Sequence, residues 1–377
     1  MKVDSLPPIE LFINQLVSMT DQHGILEHCI FSTPDLKEGY SLDDNARALQ
    51  VILRLPKNEV KAKELSSTYL KFILSARTAN GFHNDLEQNF IRKNDDGIHE
   101  SFGRAMAALG ETASTSGNPQ QQLTAAYVFD EMSSLITPSV IKSLSPRTIA
   151  QLIIAFSHRI SFDNKFPSLI NLLSLRKKLD NKIFFNNQKY CLQTLKELAE
   201  NLISIYKKNS DKNWRWFEPI ISYDNGRMPL SLFYAFQSTN QENYKKAGLE
   251  SLDFLLFQTF NKKNDCFSFP GNKGWIVKGN KKTVFAQQPI EAGSTIEACI
   301  KAYQLSKKKE YFDFAKKAFS WYSGQNLLQL PLINKDQGGI YDGLEKWGIN
   351  QNQGAESIIT FLIGYLDILN ADRTAAF

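Results

Sequence analysis

Gly39-Tyr-Ser-Leu-Asp-Asp-Asn-Ala-Arg-Ala-Leu49 sets two acids, an amide and a guanidinium where a polar turn runs into an apolar helix. A helix start needs one cap and at most one acid in its first turn. Ser41 and Asp44 stand at capping-box spacing, with Ser41 covering an orphan amide and Asp44 reaching back. Asp43, Asn45 and Arg47 exceed that local need. The surplus makes the stretch a candidate wall of a site, with Asp44 as its chemical residue, Asp43 and Asn45 as supports and Arg47 fixing neighbouring carboxylates.

Working outward, apolar residues recur at helical spacing from about residue 8 to 371 and group into about a dozen helices. The stretches 166–178 and 190–208 read as one broken unit or as a helix with a lead-in. Every second helix opens on an unusual polar lead: 43–47, His99-Glu-Ser-Phe-Gly-Arg104, Tyr223-Asp-Asn-Gly-Arg227, Gln287-Gln-Pro-Ile-Glu291 and Asn350-Gln-Asn-Gln-Gly-Ala-Glu356. A sixth, Ser145-Pro-Arg-Thr148, has no acid. The helices behind these leads are strongly apolar, as in Ile358-Ile-Thr-Phe-Leu-Ile-Gly-Tyr365, whereas their alternates carry the Lys and Glu of a solvated face. Paired helices must stack or close to bury each apolar face, and closure removes both open ends. Six inner and six outer helices predict an all-α (α/α)6 toroid, read as a single domain over 1–377, with the polar leads meeting on one face.

The least helical stretch is 261–288, where Gly279-Asn280 between alternating residues predicts a small β-hairpin near 275–286 that delivers Gln287 and Gln288 to that face. The irregular segment 325–353 holds Tyr341, Asp342 and Trp347, and its length and aromatic content mark it as functional.

Composition narrows the function. Hydrophobic residues make up 42% of the 377, with 26 Phe and 13 Tyr, which supports a large core and excludes disorder. The net charge of +5, from 44 basic and 39 acidic residues, forms no single-sign block, so nucleic acid is not implied. The first residues lack the apolar run of a secretory leader and no stretch reaches a membrane span, so a cytoplasmic location is expected. Cys29, Cys191, Cys266 and Cys299 are far apart and suggest neither disulfide nor zinc. His23 and His28 have no metal-ligand spacing, and no dinucleotide, phosphate-loop or serine-elbow motif is present, so no metal or cofactor is expected.

Among the leads, Glu291 follows Pro289 as a first-turn acid, yet Gln287 and Gln288 just upstream suit sugar hydroxyls, which need donors and acceptors together. Glu356, preceded by Asn350, Asn352 and Gln353, has the same character. Asp224, Asn225 and Arg227 repeat the Asp-Asn-x-Arg of residues 44–47, so interhelical pairing and substrate contact both remain open. His99-Glu100 reads as an acid/base pair or as a hydrogen-bonded cap. Trp214, Trp216, Tyr223, Trp275, Tyr341 and Trp347 lie in or near the leads, placed to stack on sugar rings or to pack the core.

The stretches 39–49, Gln287-Gln-Pro-Ile-Glu-Ala292 and Asn352-Gln-Gly-Ala-Glu-Ser357 resemble signatures of a bacterial helical-toroid family in the six-hairpin glycosidase-like superfamily, often fused to or encoded as a glycosyltransferase. His23-Gly-Ile-Leu-Glu-His28, Ser101-Phe-Gly-Arg-Ala105, Tyr223–Arg227, Trp321-Tyr322 and Gly338-Gly-Ile-Tyr-Asp-Gly343 resemble it too, so the likeness spans about residues 21–365. Two departures stand out: nucleotide-sugar-binding Rossmann domains are absent, and Ser41-Leu42 replaces a Cys-Thr pair. The resemblance implies a carbohydrate-active toroid.

The expected function is cleavage or transfer of a glycosidic bond by paired carboxylates at the toroid mouth, in the manner of an inverting glycoside hydrolase acting on an oligosaccharide or glycoside. Asp44, Glu291 and Glu356 form the catalytic pool, with individual roles open. Asp43, Asn45, Arg47, Glu100, Arg104, Tyr223, Asp224, Arg227, Gln287, Gln288, Tyr341, Asp342, Asn352 and Gln353 are the binding candidates. Two alternatives stand beside it: a glycan-binding partner of a separate glycosyltransferase, without chemistry of its own, and a sugar epimerase or isomerase, for which His99 is the placed histidine.

Overall fold

A computed structural model describes residues 7–56, 59–93, 95–180 and 188–375. In chain order the helices are α1 (Ile9–Ser18), α2 (Leu42–Arg54), α3 (Val60–Ser75), α4 (Glu100–Thr115), α5 (Pro119–Ser133), α6 (Pro138–Ser143), α7 (Pro146–Lys165), α8 (Pro167–Leu179), α9 (Gln188–Asn209), α10 (Arg227–Thr239), α11 (Glu242–Thr259), α12 (Pro289–Ser306), α13 (Lys309–Ser320) and α14 (Ala355–Ala375).

The six polar leads head α2, α4, α7, α10, α12 and α14, and each of these packs on the next until α14 returns to α2. That is a closed inner ring. Outside it lie α3, α5, α9, α11 and α13, and α1 pairs with α14 to complete the sixth hairpin from opposite ends of the chain. The architecture is the expected (α/α)6 toroid. Two short helices, α6 and α8, are additions to the hairpin plan; α8 and α9 are separate elements, and the link 181–187 lies outside the described residues. One apolar cluster runs from Phe12 to Ala371.

Close approach inside the ring depends on small residues. A Cβ on Gly110 of α4 would stand 2.5 Å from Ala155 O of α7, and one on Gly293 of α12 would stand 2.9 Å from Thr360 O of α14. Such distances tolerate no larger residue unless the helices separate.

Helix α2 begins as its sequence demands. The Ser41 hydroxyl accepts from Asp44 N at 3.1 Å and donates to Asp44 Oδ2 at 3.0 Å, so the acid bonds the capping side chain itself. The reversal near 275–286 is present, with Asn280 N bonded to Val277 O and Thr283 N to Trp275 O. The ladder partner of Ile276–Val277, however, is Ile220–Ile221, and the returning arm forms no strand. Thr283 instead accepts from Gly271 N, which ties that arm to the loop before it. Segment 325–353 contains a short hairpin, Gly343–Glu345 against Gly348–Asn350. No helix among the described residues is long and apolar enough to cross a membrane.

Candidate active site at the toroid mouth

Two cavities, of about 810 and 360 Å³, open among the N-terminal ends of the inner helices. Asp43 and Glu356 line both and form the wall between them. Glu100, Arg104 and Tyr223 belong to the larger; Asp44, Arg47, Gln287, Gln288 and Asp342 belong to the smaller.

Beneath the wall runs a chain of ion pairs. Arg47 reaches Glu356 at 3.0 Å, Asp44 at 2.9 Å and Asp43 at 3.1 Å. Arg104 grips the same Asp43 oxygen from the other side and reaches Asp224 at 3.1 Å. Asp224 meets Arg227 at 3.5 Å, Arg227 meets Glu297 at 2.7 Å, and Glu297 meets Arg54 at 3.3 Å. Arg54 ends the chain on Glu111 and Asp367. Buried charges cost several kcal/mol each unless paired, and here each guanidinium answers two or three carboxylates.

This wiring sets the protonation of the mouth. Burial alone would push the Asp43 carboxyl up, but Arg104 and Arg47 outweigh it and hold the group below the usual range. Asp224 is held down to about 2, with Arg227 and Arg104 again overcoming burial. Burial wins elsewhere. Asp44 rises to about 6 despite Arg47, with Asp43 and Glu356 adding repulsion. Glu27, which lines the smaller cavity, rises to about 8 through burial and the nearby charges of Asp44, Asp85 and Asp43. Glu291 also rises to about 8, chiefly through burial, and its Oε2 accepts from Asn225 Nδ2 at 2.7 Å.

The expected residues thus fall into three groups. Asp43, Asp44, Arg47, Glu100, Arg104, Tyr223, Gln288, Asp342 and Glu356 converge on the mouth. Both Asp44 oxygens are committed, one to Arg47 and one to Ser41, whereas Asp43 Oδ1 has no protein partner among the described residues. Glu100 accepts from the Tyr223 hydroxyl at 2.7 Å, and the Tyr223 ring lies under the Arg147 guanidinium.

A second group braces the frame. Asn45 bonds Ile25 N and Ser41 O. Gln287 touches the cavity, but its Oε1 accepts from Phe269 N and Trp321 Nε1, both at 3.0 Å. Asn352 accepts from Phe31 N, and Asp342 accepts from Gly354 N and the Ser357 hydroxyl at the head of α14. The third group lies outside both cavity linings: Asp224, Arg227 and Glu291 in the buried layer below, Gln353 buried against Gly339, and Tyr341 packed on the core.

Sequence reasoning passed over Glu27, His28, Asp95 and Asp96, all of which line the mouth. Glu27 and His28 close the motif His23–His28, which the sequence offered as a family resemblance and a weak metal candidate but not as part of the site. Asp95 and Asp96 read as ordinary turn acids and do brace turns, Asp95 on Asn84 N and Asp85 N, Asp96 on the Thr78 hydroxyl. His99 lines the larger cavity and its side chain makes no cap hydrogen bond. The mouth therefore holds one histidine in each cavity.

No family model matches the chain, and no curated protein is similar to it in sequence. Solved structures are similar in fold. A sugar epimerase from a ruminal bacterium shares 13% identity over 99% of both chains, with a TM-score of 0.70. A cellobiose 2-epimerase from Bacillus thermoamylovorans shares 11% identity over 97% of this chain and 99% of that one, with a TM-score of 0.67. An inactive variant of an α-1,6-mannanase from a Salegentibacter species, with alanine at two consecutive aspartates and in complex with α-1,6-mannotetrose, shares 10% identity over 96% of this chain and 98% of that one, with a TM-score of 0.60. At these identities the likeness is one of fold, the (α/α)6 toroid.

Proposed function

We propose that the chain is a carbohydrate-active enzyme of one toroid domain that cleaves or transfers a glycosidic bond in the smaller cavity, with Glu27 as general acid and Asp43 as the ionised carboxylate opposite it. One observation carries this reading: two carboxyl groups lining the same cavity are driven to opposite protonation states, Glu27 to about 8 and Asp43 below its ordinary value. Carboxyls pushed apart in this way are the mark of an acid/base pair. Glu27, protonated at neutral pH, gives its proton to the leaving oxygen. Asp43, held ionised by the two guanidiniums that clamp its Oδ2, takes a proton from water or attacks the anomeric carbon. Glu356 and Asp44, paired to Arg47, keep that guanidinium in place. Four unbonded, buried cysteines suit a reducing, cytoplasmic setting, where the substrate glycan would come from a separate glycosyltransferase.

A second reading rests on His28 and His99, one in each cavity. In an epimerase or isomerase two such bases would exchange a proton beside the sugar carbonyl, and solved epimerases share the fold.

One experiment separates them. The protein is incubated in D2O with neutral disaccharides and oligosaccharides of glucose and mannose and followed by proton NMR. New reducing ends are expected, and Asp43→Asn should lower their rate about a thousandfold. Deuterium entering at C2 without new reducing ends would favour the histidine pair. A wild-type protein that changes none of the sugars, or an Asp43→Asn variant of near-normal rate, would remove the carboxylate reading.

A further inference from the structure

The Gly343–Asn350 hairpin ends in a tryptophan that the fold does not use. Trp347 is 74% exposed, while Trp214, Trp216 and Trp321 are buried. Exposing an indole forgoes the stabilisation of burying it, and a mobile loop would lower that cost by letting the ring fold back. This hairpin does not move freely. Leu344 is fully buried and exchanges two backbone hydrogen bonds with Gln287, of 2.9 and 3.0 Å, at the head of α12. Glu345 adds a contact to Lys273 at 3.4 Å.

The register says which way the hairpin faces. Leu344 pairs with Ile349, and Leu344 turns into the core. The opposite face carries the pairs Gly343 with Asn350 and Glu345 with Gly348, and Gly343, Glu345 and Asn350 line the smaller cavity. Trp347 directly precedes Gly348, where an added Cβ would meet nothing within 4 Å. The strip between cavity edge and indole is therefore open. A second ring, Phe31, is 59% exposed, and its amide bonds Asn352, two residues beyond Asn350.

We propose that Trp347, with Phe31 beside it, is the outer platform of an oligosaccharide site, so that the ligand is a neutral glycan longer than the cavity, with its distal ring stacked on the indole. This rests on the carbohydrate reading above. A protein partner is the less fitting occupant, because the cavity that the hairpin edges is lined by Asp342, Asn350, Gln288 and Glu345 and not by a continuous apolar patch. Amides and carboxylates spaced between aromatic faces match the alternating hydroxyl edges and CH faces of a pyranose chain. Among the described residues both arginines that line the mouth, Arg47 and Arg104, are already held by carboxylates, which disfavours an anionic sugar.

The test compares wild type with Trp347→Ala on manno- and cello-oligosaccharides of two to six units, by calorimetry and by acrylamide quenching of tryptophan fluorescence. Wild type should bind longer chains more tightly than disaccharides, and these should shield an indole from acrylamide. Trp347→Ala should weaken the longer chains about tenfold, leave disaccharides unchanged, lose the shielding and keep the wild-type melting temperature. Equal length dependence in the two proteins would overturn the platform while leaving the carbohydrate reading intact. A wild type that binds none of these sugars would overturn both.

Discussion

Glu291→Gln should raise stability at neutral pH, and by an amount that depends on pH. The carboxyl is 3% exposed, Asn225 donates to one oxygen, and the other has no protein partner among the described residues. Its folded value of about 8 stands above the ordinary 4.5, so the folded state retains a proton that the unfolded chain gives up. Below pH 4.5 the two states carry the same proton and the group costs nothing. Between 4.5 and about 8 each pH unit removes about 1.4 kcal/mol, and above 8 the cost is constant. At pH 7 the penalty is at most about 3 kcal/mol, against less than about 1 kcal/mol at pH 5. Glutamine has the shape of the protonated acid and never ionises, so it escapes the penalty. With about 2 cal/mol/K of unfolding entropy per residue, the melting temperature should rise by about 4 °C at pH 7 and by about 1 °C at pH 5. Calorimetric melting of both proteins from pH 5 to 8.5 reads the difference. A variant destabilised equally at every pH would mean that Glu291 is ionised in the fold and held by partners, and the assignment of a buried neutral acid would fall.

Two further perturbations test the frame under the mouth. Asp224 is depressed to about 2, so its stabilisation is complete above about pH 4 and is lost as pH falls through about 2; Asp224→Asn should cost about 3 kcal/mol at pH 7 by urea unfolding, with the gap closing towards pH 2, and a constant gap would contradict the pairing. Gly226→Ala would place a Cβ 2.1 Å from Ser294 O and 2.4 Å from Ser294 C, backbone atoms of α12 that cannot turn aside; a loss of about 3 kcal/mol is expected, and an unchanged melting temperature would show that α10 and α12 are not in that contact.

Periodicity and helix-start chemistry were enough to read the ring. They are local properties, so the alternation of charged leads with apolar helices is visible residue by residue, and burial of those apolar faces leaves few architectures. Long-range pairings were not legible in the same way. Nothing near Ile276 says that its ladder partner is Ile221, 55 positions away. Burial of charge was equally hidden: Asp224 and Glu291 look like Asp43 and Glu356 along the chain, yet ion pairs and packing sink the first two beneath a mouth that the other two wall.

The stretch 39–49 divides the two kinds of knowledge. From sequence alone came the helix start, the Ser41 cap and the excess of charge, because each depends on neighbours within four residues. Which of two adjacent aspartates also reaches the larger cavity was decided by tertiary structure. Successive helical positions point about 100° apart, so Asp44 is turned back to Ser41 and Arg47, while Asp43 is turned to Arg104 from the next inner helix and to the open mouth. Glu27, far from any helix start, gained its raised carboxyl only when the folded ring buried it and brought three other acids near it.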